Sequence, residues 1–166
     1  LGGRLAGEHL VATGRRRIGF IGGSMDDSEV VQRLLGFSEA VAIDRSLHTP
    51  GLEAFGDFSE PSGFAAMNEL LDRDGSVDAV FAAGDMMAIG AIRALATRGR
   101  RVPDDVAIVG YDDLFVSAFT TPSLTTISQH IADTGRTLAS RLVANIERGV
   151  VESAVVPVEL IKRDSA

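Results

Sequence analysis

Four times along this chain an aliphatic run stops and gives way to groups able to bind a ligand. The first stop reads Gly22-Gly23-Ser24-Met25-Asp26, the second Gly56-Asp57-Phe58, the third Ala83-Gly84-Asp85 and the fourth Tyr111-Asp112-Asp113. Each supplies glycine for tight backbone, a carboxylate or an aromatic ring. Arg33 follows the first stop. On a wheel of about 100° per residue it falls about 60° from the apolar stripe of its own helix, so it can lean toward the same edge. An arginine fork, several carboxylates and an aromatic platform suit a neutral or mildly charged polyhydroxy or heterocyclic ligand. Arg33, Phe58 and Asp112 are expected to line one cleft, with Asp85 and Ser24 at its rim.

Each of these side chains also has a purely structural reading. Asp85 can cap the helix that follows it. Asp112 and Asp113 can form a turn, Arg33 can be a solvated helix residue, and Phe58 can be core or interface. Covalent and redox chemistry find little support. The G-x-G-x-x-G spacing of a dinucleotide site and the G-x-S-x-G elbow are both absent. His9, His48 and His130 lack metal-ligand spacing, so neither a metal nor a cofactor is expected. A glycosidase would use two carboxylates, but nothing marks one of them as a protonated acid.

The elements that must position these groups follow from periodicity. Helices are expected over Leu5 to Ala12, Ser28 to about Ile43, from a Ser59 cap through residue 72, Asp85 to about Arg98, and Ile131 to Arg148. Strands are expected over Ile18 to Ile21, Leu52 to Phe55, Val77 to Ala83, at Val106, over Thr125 to Ser128, and Val155 to Ile161. Repeated βα units with near-continuous apolar strands imply an α/β fold, a parallel sheet flanked by helices on both faces. Ligands in such sheets bind beyond the carboxyl ends of the strands, where the four stops lie.

Composition narrows the class. The chain has 166 residues, enough for one domain with a core, and 45% of them are hydrophobic. Its net charge of −7 makes it a poor nucleic-acid binder by itself. The densest basic run, Arg15-Arg16-Arg17, reads as a helix-to-strand turn, where cations favour a helix C-terminus. There is no cysteine, hence no disulfide or thiolate metal site. No stretch approaches the ~18 apolar residues of a membrane span. The chain begins at Leu1 and reads as a fragment whose upstream part is missing.

The segments GGRLAGEHLVATGRRRIGFIGG, RLLGF at Arg33 to Phe37, GDFSEPSGFAAM, FAAGDMMAIGAIRAL, VPDDVAIVGYDD, TPSLTTISQ and PVELIKRDS, in this order, resemble the LacI/GalR family of bacterial transcription regulators over nearly the whole chain. The likeness is to the second half of their effector domain, a periplasmic-binding-protein-like type I lobe. It implies that Arg33 forks to the effector, Phe58 stacks on it and Asp112 accepts its hydrogen bonds. Gly84 stands where some sugar-binding members have asparagine. It further implies a division of the chain. Residues 1–128 would form the C-terminal lobe, 129–157 a helix and strand of the other lobe, and 158–166 a return strand and tail.

A helix-turn-helix, a hinge and a first lobe would lie outside this sequence. On this resemblance the protein is a cytoplasmic, non-enzymatic sensor of a sugar or a purine. It would form a homodimer through helices near 60–72 and 86–97 and the loop 114–121, with Phe115, Phe119 and Met87 at the interface. Operator DNA would be met only through the head domain, and full effector affinity would need both lobes. The alternative is a periplasmic sugar-binding protein of a transport system. The stripe Ile131, Leu138, Leu142, Ile146 is expected to fold back on its own lobe or to pack against a neighbouring chain, not to face water.

Overall fold

The structure is a computed structural model that describes residues 1–43, 51–149 and 156–166. In chain order its elements are α1 (Gly2–Ala12), β1 (Ile18–Gly22), α2 (Ser28–Ala42), β2 (Glu53–Phe55), α3 (Glu60–Arg73), β3 (Ala79–Ala82), α4 (Asp85–Thr97), β4 (Ala107–Asp112), β5 (Thr125–Ser128), α5 (Ile131–Arg148) and β6 (Glu159–Ile161). A 3-10 turn, Phe115–Ala118, lies between β4 and β5. His48 and the beginning of the expected strand at Val155 lie outside the described residues.

The strands form one sheet in the order β2-β1-β3-β4-β5-β6. Pairing is parallel from β2 through β5, with Phe20 opposite Phe81 and Gly110 opposite Thr126. The expected all-parallel sheet needs one correction, because β6 runs antiparallel to β5, with Ile127 opposite Leu160. A three-residue edge strand needs no βα crossover to reach its place, so its direction leaves no helical signal in the sequence.

Alternation along β1 assigns the helices to opposite faces. Phe20 meets Phe37 of α2 with ring centroids 5.8 Å apart. A Cβ on the neighbouring Gly19 would instead lie 3.1 Å from Leu70 of α3. Thus α1 and α2 cover one face and α3 and α4 the other, and strands covered on both faces are aliphatic throughout. On the α2 face an aromatic row runs Phe37, Phe81, Tyr111, with centroid separations of 5.6 and 6.3 Å. That row ends at the carboxyl edge of the sheet.

Local caps fix where the helices begin. The Asp27 carboxylate accepts from the Glu29 amide at 2.8 Å, and the Ser59 hydroxyl accepts from the Ser62 amide at 3.2 Å. Pro61 sits in the first turn of α3, where its missing N–H costs nothing. At the amino edge the basic run ties elements together rather than serving the end of α1. Arg15 donates to the carbonyls of Pro103 at 2.6 Å and Asp78 at 3.2 Å, and the backbone amides of Arg16 and Arg17 donate to the Asp78 carboxylate.

The last helix departs from expectation. No side chain of α5 is buried, and Ile131, Leu138, Leu142 and Ile146 are exposed. Among the described residues the stripe has nothing folded over it. The α1–α2 face is already covered, and the helix leaves the sheet at its carboxyl edge.

Candidate functional site

The site is built where α2, β3, β4 and β5 meet at the carboxyl edge. Arg33 lies in the second turn of α2, and its side chain is only 12% exposed. One terminal nitrogen donates to the Ala83 carbonyl at 2.6 Å. The other faces Glu29 Oε2 at 3.6 Å. The guanidinium carbon stands 3.8 Å above the centre of the Tyr111 ring. Its Nε donor is buried without an acceptor among the described residues. Arg33 is therefore held flat and oriented, with hydrogen-bonding capacity left over.

Asp112 ends β4 at φ 108°. Its Oδ1 accepts from the side-chain amide of Gln129 at 2.7 Å. Burial pushes this carboxyl up to about 6, against the pull of Arg33 and with the push of Asp85. Burial also raises the Tyr111 hydroxyl, with Arg33 opposing.

Phe58 follows β2 with φ 66°. Its ring lies so close over Gly23 that a Cβ there would overlap it, which only glycine avoids. A Cβ on Gly84 would lie 3.1 Å from the same ring and 3.8 Å from Asp112 Oδ2. Phe58 and Asp112 thus flank one point of backbone. Ser24 is exposed on the loop after β1, and its hydroxyl accepts from the Asp26 amide at 3.2 Å.

Backbone strain marks the same edge. Among the described residues the non-glycine positive-φ positions are Phe58, Asp112, Asp113 and His130. All four follow or end strands at the carboxyl edge, and such conformations gather where a site imposes them. Asp113 is fixed by Arg163 at 2.6 Å.

Two expected site residues prove to be elsewhere. Asp85 is neither a cap nor a rim residue. The N-cap is Gly84, and Asp85 is fully buried on the α4 face. Its carboxylate accepts from the Leu114 amide at 2.8 Å, Ser117 Oγ at 2.6 Å and Thr126 Oγ1 at 2.5 Å. These partners turn it inward, beneath the loop that follows β4. Burial raises its carboxyl, and the two hydroxyls oppose that shift. Met87 is fully buried, in phase with Ala91, Ala94 and Leu95 in the core, so it presents nothing to a partner. Its neighbour Met86 is the exposed one. Phe115 and Phe119 are exposed, with ring centroids 4.8 Å apart.

Tyr111, named at the fourth stop without a partner, proves to be the platform under Arg33, and Gln129, the partner of Asp112, escaped the sequence reading. Gln129 lies just past β5, a fifth strand end at the same edge. Reading every aliphatic-to-polar stop alike would have found it.

A model of the periplasmic binding protein-like domain matches residues 8–166. The chain belongs to this family. Among curated periplasmic-binding-protein-like relatives, it is 44% identical to the HTH-type transcriptional regulator CelR of Thermobifida fusca, over 99% of this chain and 49% of the relative. It is 37% identical to the HTH-type transcriptional repressor PurR of Haemophilus influenzae, over 99% of this chain and 50% of that one. The chain thus spans about half the length of these relatives. Among solved structures, a transcriptional regulator CelR–cellobiose complex superposes with a TM-score of 0.93 at 44% identity, covering 99% of this chain and 51% of the other. The lac repressor dimer bound to operator and an anti-inducer superposes with a TM-score of 0.90 at 36% identity, covering 99% and 57%. Fold and relatives both place the chain with the effector-binding domains of LacI-type regulators.

Proposed function

We propose that this chain supplies one wall of the effector site of a LacI-type transcription regulator, and that the effector is a sugar or a purine. The observation that carries the reading is the convergence of Arg33, Tyr111, Asp112 and Phe58 on one edge, with Arg33 pre-oriented and its Nε donor unused. Arg33 and Asp112 offer donors and an acceptor to ring hydroxyls or ring nitrogens. Phe58 offers a flat apolar surface. The similarity to a regulator solved with cellobiose supports a glycoside in particular.

The lobe is residues 1–128, with 129–157 belonging to a second wall and 158–166 returning to the first sheet. Effector binding closes the two walls and changes operator affinity through a separate head domain. The role is binding, without turnover, in the cytoplasm. No described helix is long and apolar enough to cross a membrane.

Titration calorimetry of the protein carrying this chain, with cellobiose and with purine bases, tests the reading. Arg33→Ala should weaken the effector by about 2–3 kcal/mol, the scale of a hydrogen bond to a charged group. Binding of the effector at unchanged affinity by that variant would sink it.

A further inference from the structure

The first turn of α1 carries two buried glycines, and each abuts a different part of the arginine site. A Cβ on Gly3 would overlap the carbonyl oxygen of Arg33 itself. A Cβ on Gly36 would lie 3.2 Å from the Arg4 amide nitrogen, so α1 and α2 meet backbone to backbone and neither has room to slide. Gly2 faces something softer. A Cβ there would lie 2.6 Å from Cε2 and 2.8 Å from the hydroxyl oxygen of Tyr111. Tyr111 is only 7% exposed. Phe81 backs its ring at a centroid separation of 6.3 Å, and the Arg33 guanidinium carbon lies 3.8 Å over its centre. A ring so enclosed cannot take a push at its hydroxyl end without changing its stack with Arg33.

We propose that Gly2 is a positioning residue of the effector site: the bare backbone of α1 at this point sets where the Tyr111 ring lies, and the ring sets the plane of Arg33. What matters at Gly2 is the missing side chain. Alanine in the first turn is the better helix former, so the helix itself does not oppose it. The atoms its methyl group meets first are the far end of one side chain, which can yield while the main chain stays. The fold therefore tolerates the change and the orientation of Arg33 does not. Gly3 differs, because the obstacle there is main chain. The functional weight of Gly2 rests on the reading of Arg33 as an effector ligand, but the first test does not use the effector.

That test is made on the free protein carrying this chain. The Arg33 Nε donor is buried, which keeps its proton observable by NMR, and the Tyr111 ring current displaces that resonance. Tyr111→Leu marks its position without the ring. Gly2→Ala should move the Arg33 resonance toward that position, and in the Tyr111→Leu background should move it no further. Leu10→Val loosens the packing of α1 about 12 Å further along the helix and should leave the resonance in place. An unmoved resonance in Gly2→Ala, or an equal movement in Leu10→Val, overturns the proposal. Should Gly2→Ala fail to fold, the double variant with Tyr111→Leu decides. Its folding would identify the ring as the obstacle, and its failure would put the obstacle in the main chain and overturn the proposal. In calorimetry with cellobiose and with purine bases, Gly2→Ala should weaken binding roughly threefold to thirtyfold, the range of a cation–π contact. If the resonance moves as expected while Gly2→Ala and Arg33→Ala both bind as the parent does, the effector reading fails and the positioning stands.

Discussion

Asp112 has opposite consequences for binding and for stability. A carboxyl with a reference value of 3.8 is held at about 6 in the folded chain, chiefly by burial. Between those two values the folded state keeps a proton that the unfolded state has released. Stability therefore falls as pH rises through that window, and the full cost is present above it. Asp112→Asn removes the charge, and asparagine tolerates positive φ better than most residues. The variant should be more stable than the parent at about pH 7.5, by about 1 kcal/mol once solvent screening at this half-exposed edge is allowed for. The difference should vanish below the window. The variant should also bind effector poorly, since one of the two acceptor oxygens becomes an NH2 donor. Urea unfolding at both pH values checks the first claim. A less stable variant at neutral pH would show that the Gln129 and Arg33 contacts outweigh burial. An acidic ligand group half-way to protonation also makes effector affinity of the parent fall as pH drops through about 6.

The loop from Leu114 to Thr120 holds no regular structure beyond its 3-10 turn, and Asp85 organises it. One buried carboxylate fixes the first amide of the loop, the hydroxyl of Ser117 inside it and Thr126 on the neighbouring strand. Asp85→Ala would strand those three donors and should cost about 3 kcal/mol or more. Asp85→Asn can keep its oxygen where the Leu114 amide and the Ser117 hydroxyl donate, and the Thr126 hydroxyl can rotate to accept from the new NH2. It should cost markedly less. Equal losses in thermal unfolding of the two variants would mean that the cavity, not the hydrogen bonding, sets the penalty.

The same residue shows what a sequence can and cannot disclose. Thr125 to Ser128 and Ile131 to Arg148 were legible to the residue, because their boundaries are written in local chemistry. Arg33, Phe58 and Asp112 were legible as neighbours, since aliphatic runs announce strands and parallel strands bring their ends to one edge. The direction of the Asp85 side chain was not. It depends on a loop that arrives from 29 residues away. Met86 and Met87 differ by one helical step, and the apolar phase of Ala91, Ala94 and Leu95 selects Met87 for the core. The antiparallel course of β6 and the exposed stripe of α5 depend on long-range connection, which no local pattern encodes.

At the scale of the whole molecule the two edges of the sheet divide the labour. The amino edge is bound together by Arg15 and by Asp78, and among the described residues no non-glycine residue there has a positive φ. The carboxyl edge gathers the strained backbone, the oriented arginine and the exposed apolar side chains. Phe115 is 84% exposed and Phe119 is 69% exposed, with Val116 and Met86 also in water. Such a patch on a short loop is costly to leave wet, and it lies directly after Asp112 in the chain. We propose that it packs against a second copy, so that any shift at Asp112 passes through a loop anchored by Asp85 into the dimer contact. Because both rings already face solvent within one subunit, replacing them should leave the subunit fold intact. Burying two phenylalanines on association contributes about 1.5–3 kcal/mol each. Phe115→Ser with Phe119→Ser should therefore weaken self-association by roughly a hundredfold or more, while the thermal midpoint measured for the dissociated subunit stays put. Sedimentation equilibrium of the protein carrying this chain reads the first quantity. If the doubly substituted protein associates as tightly as the parent, the contact lies elsewhere, and the exposed stripe of α5 becomes the surface to mutate next.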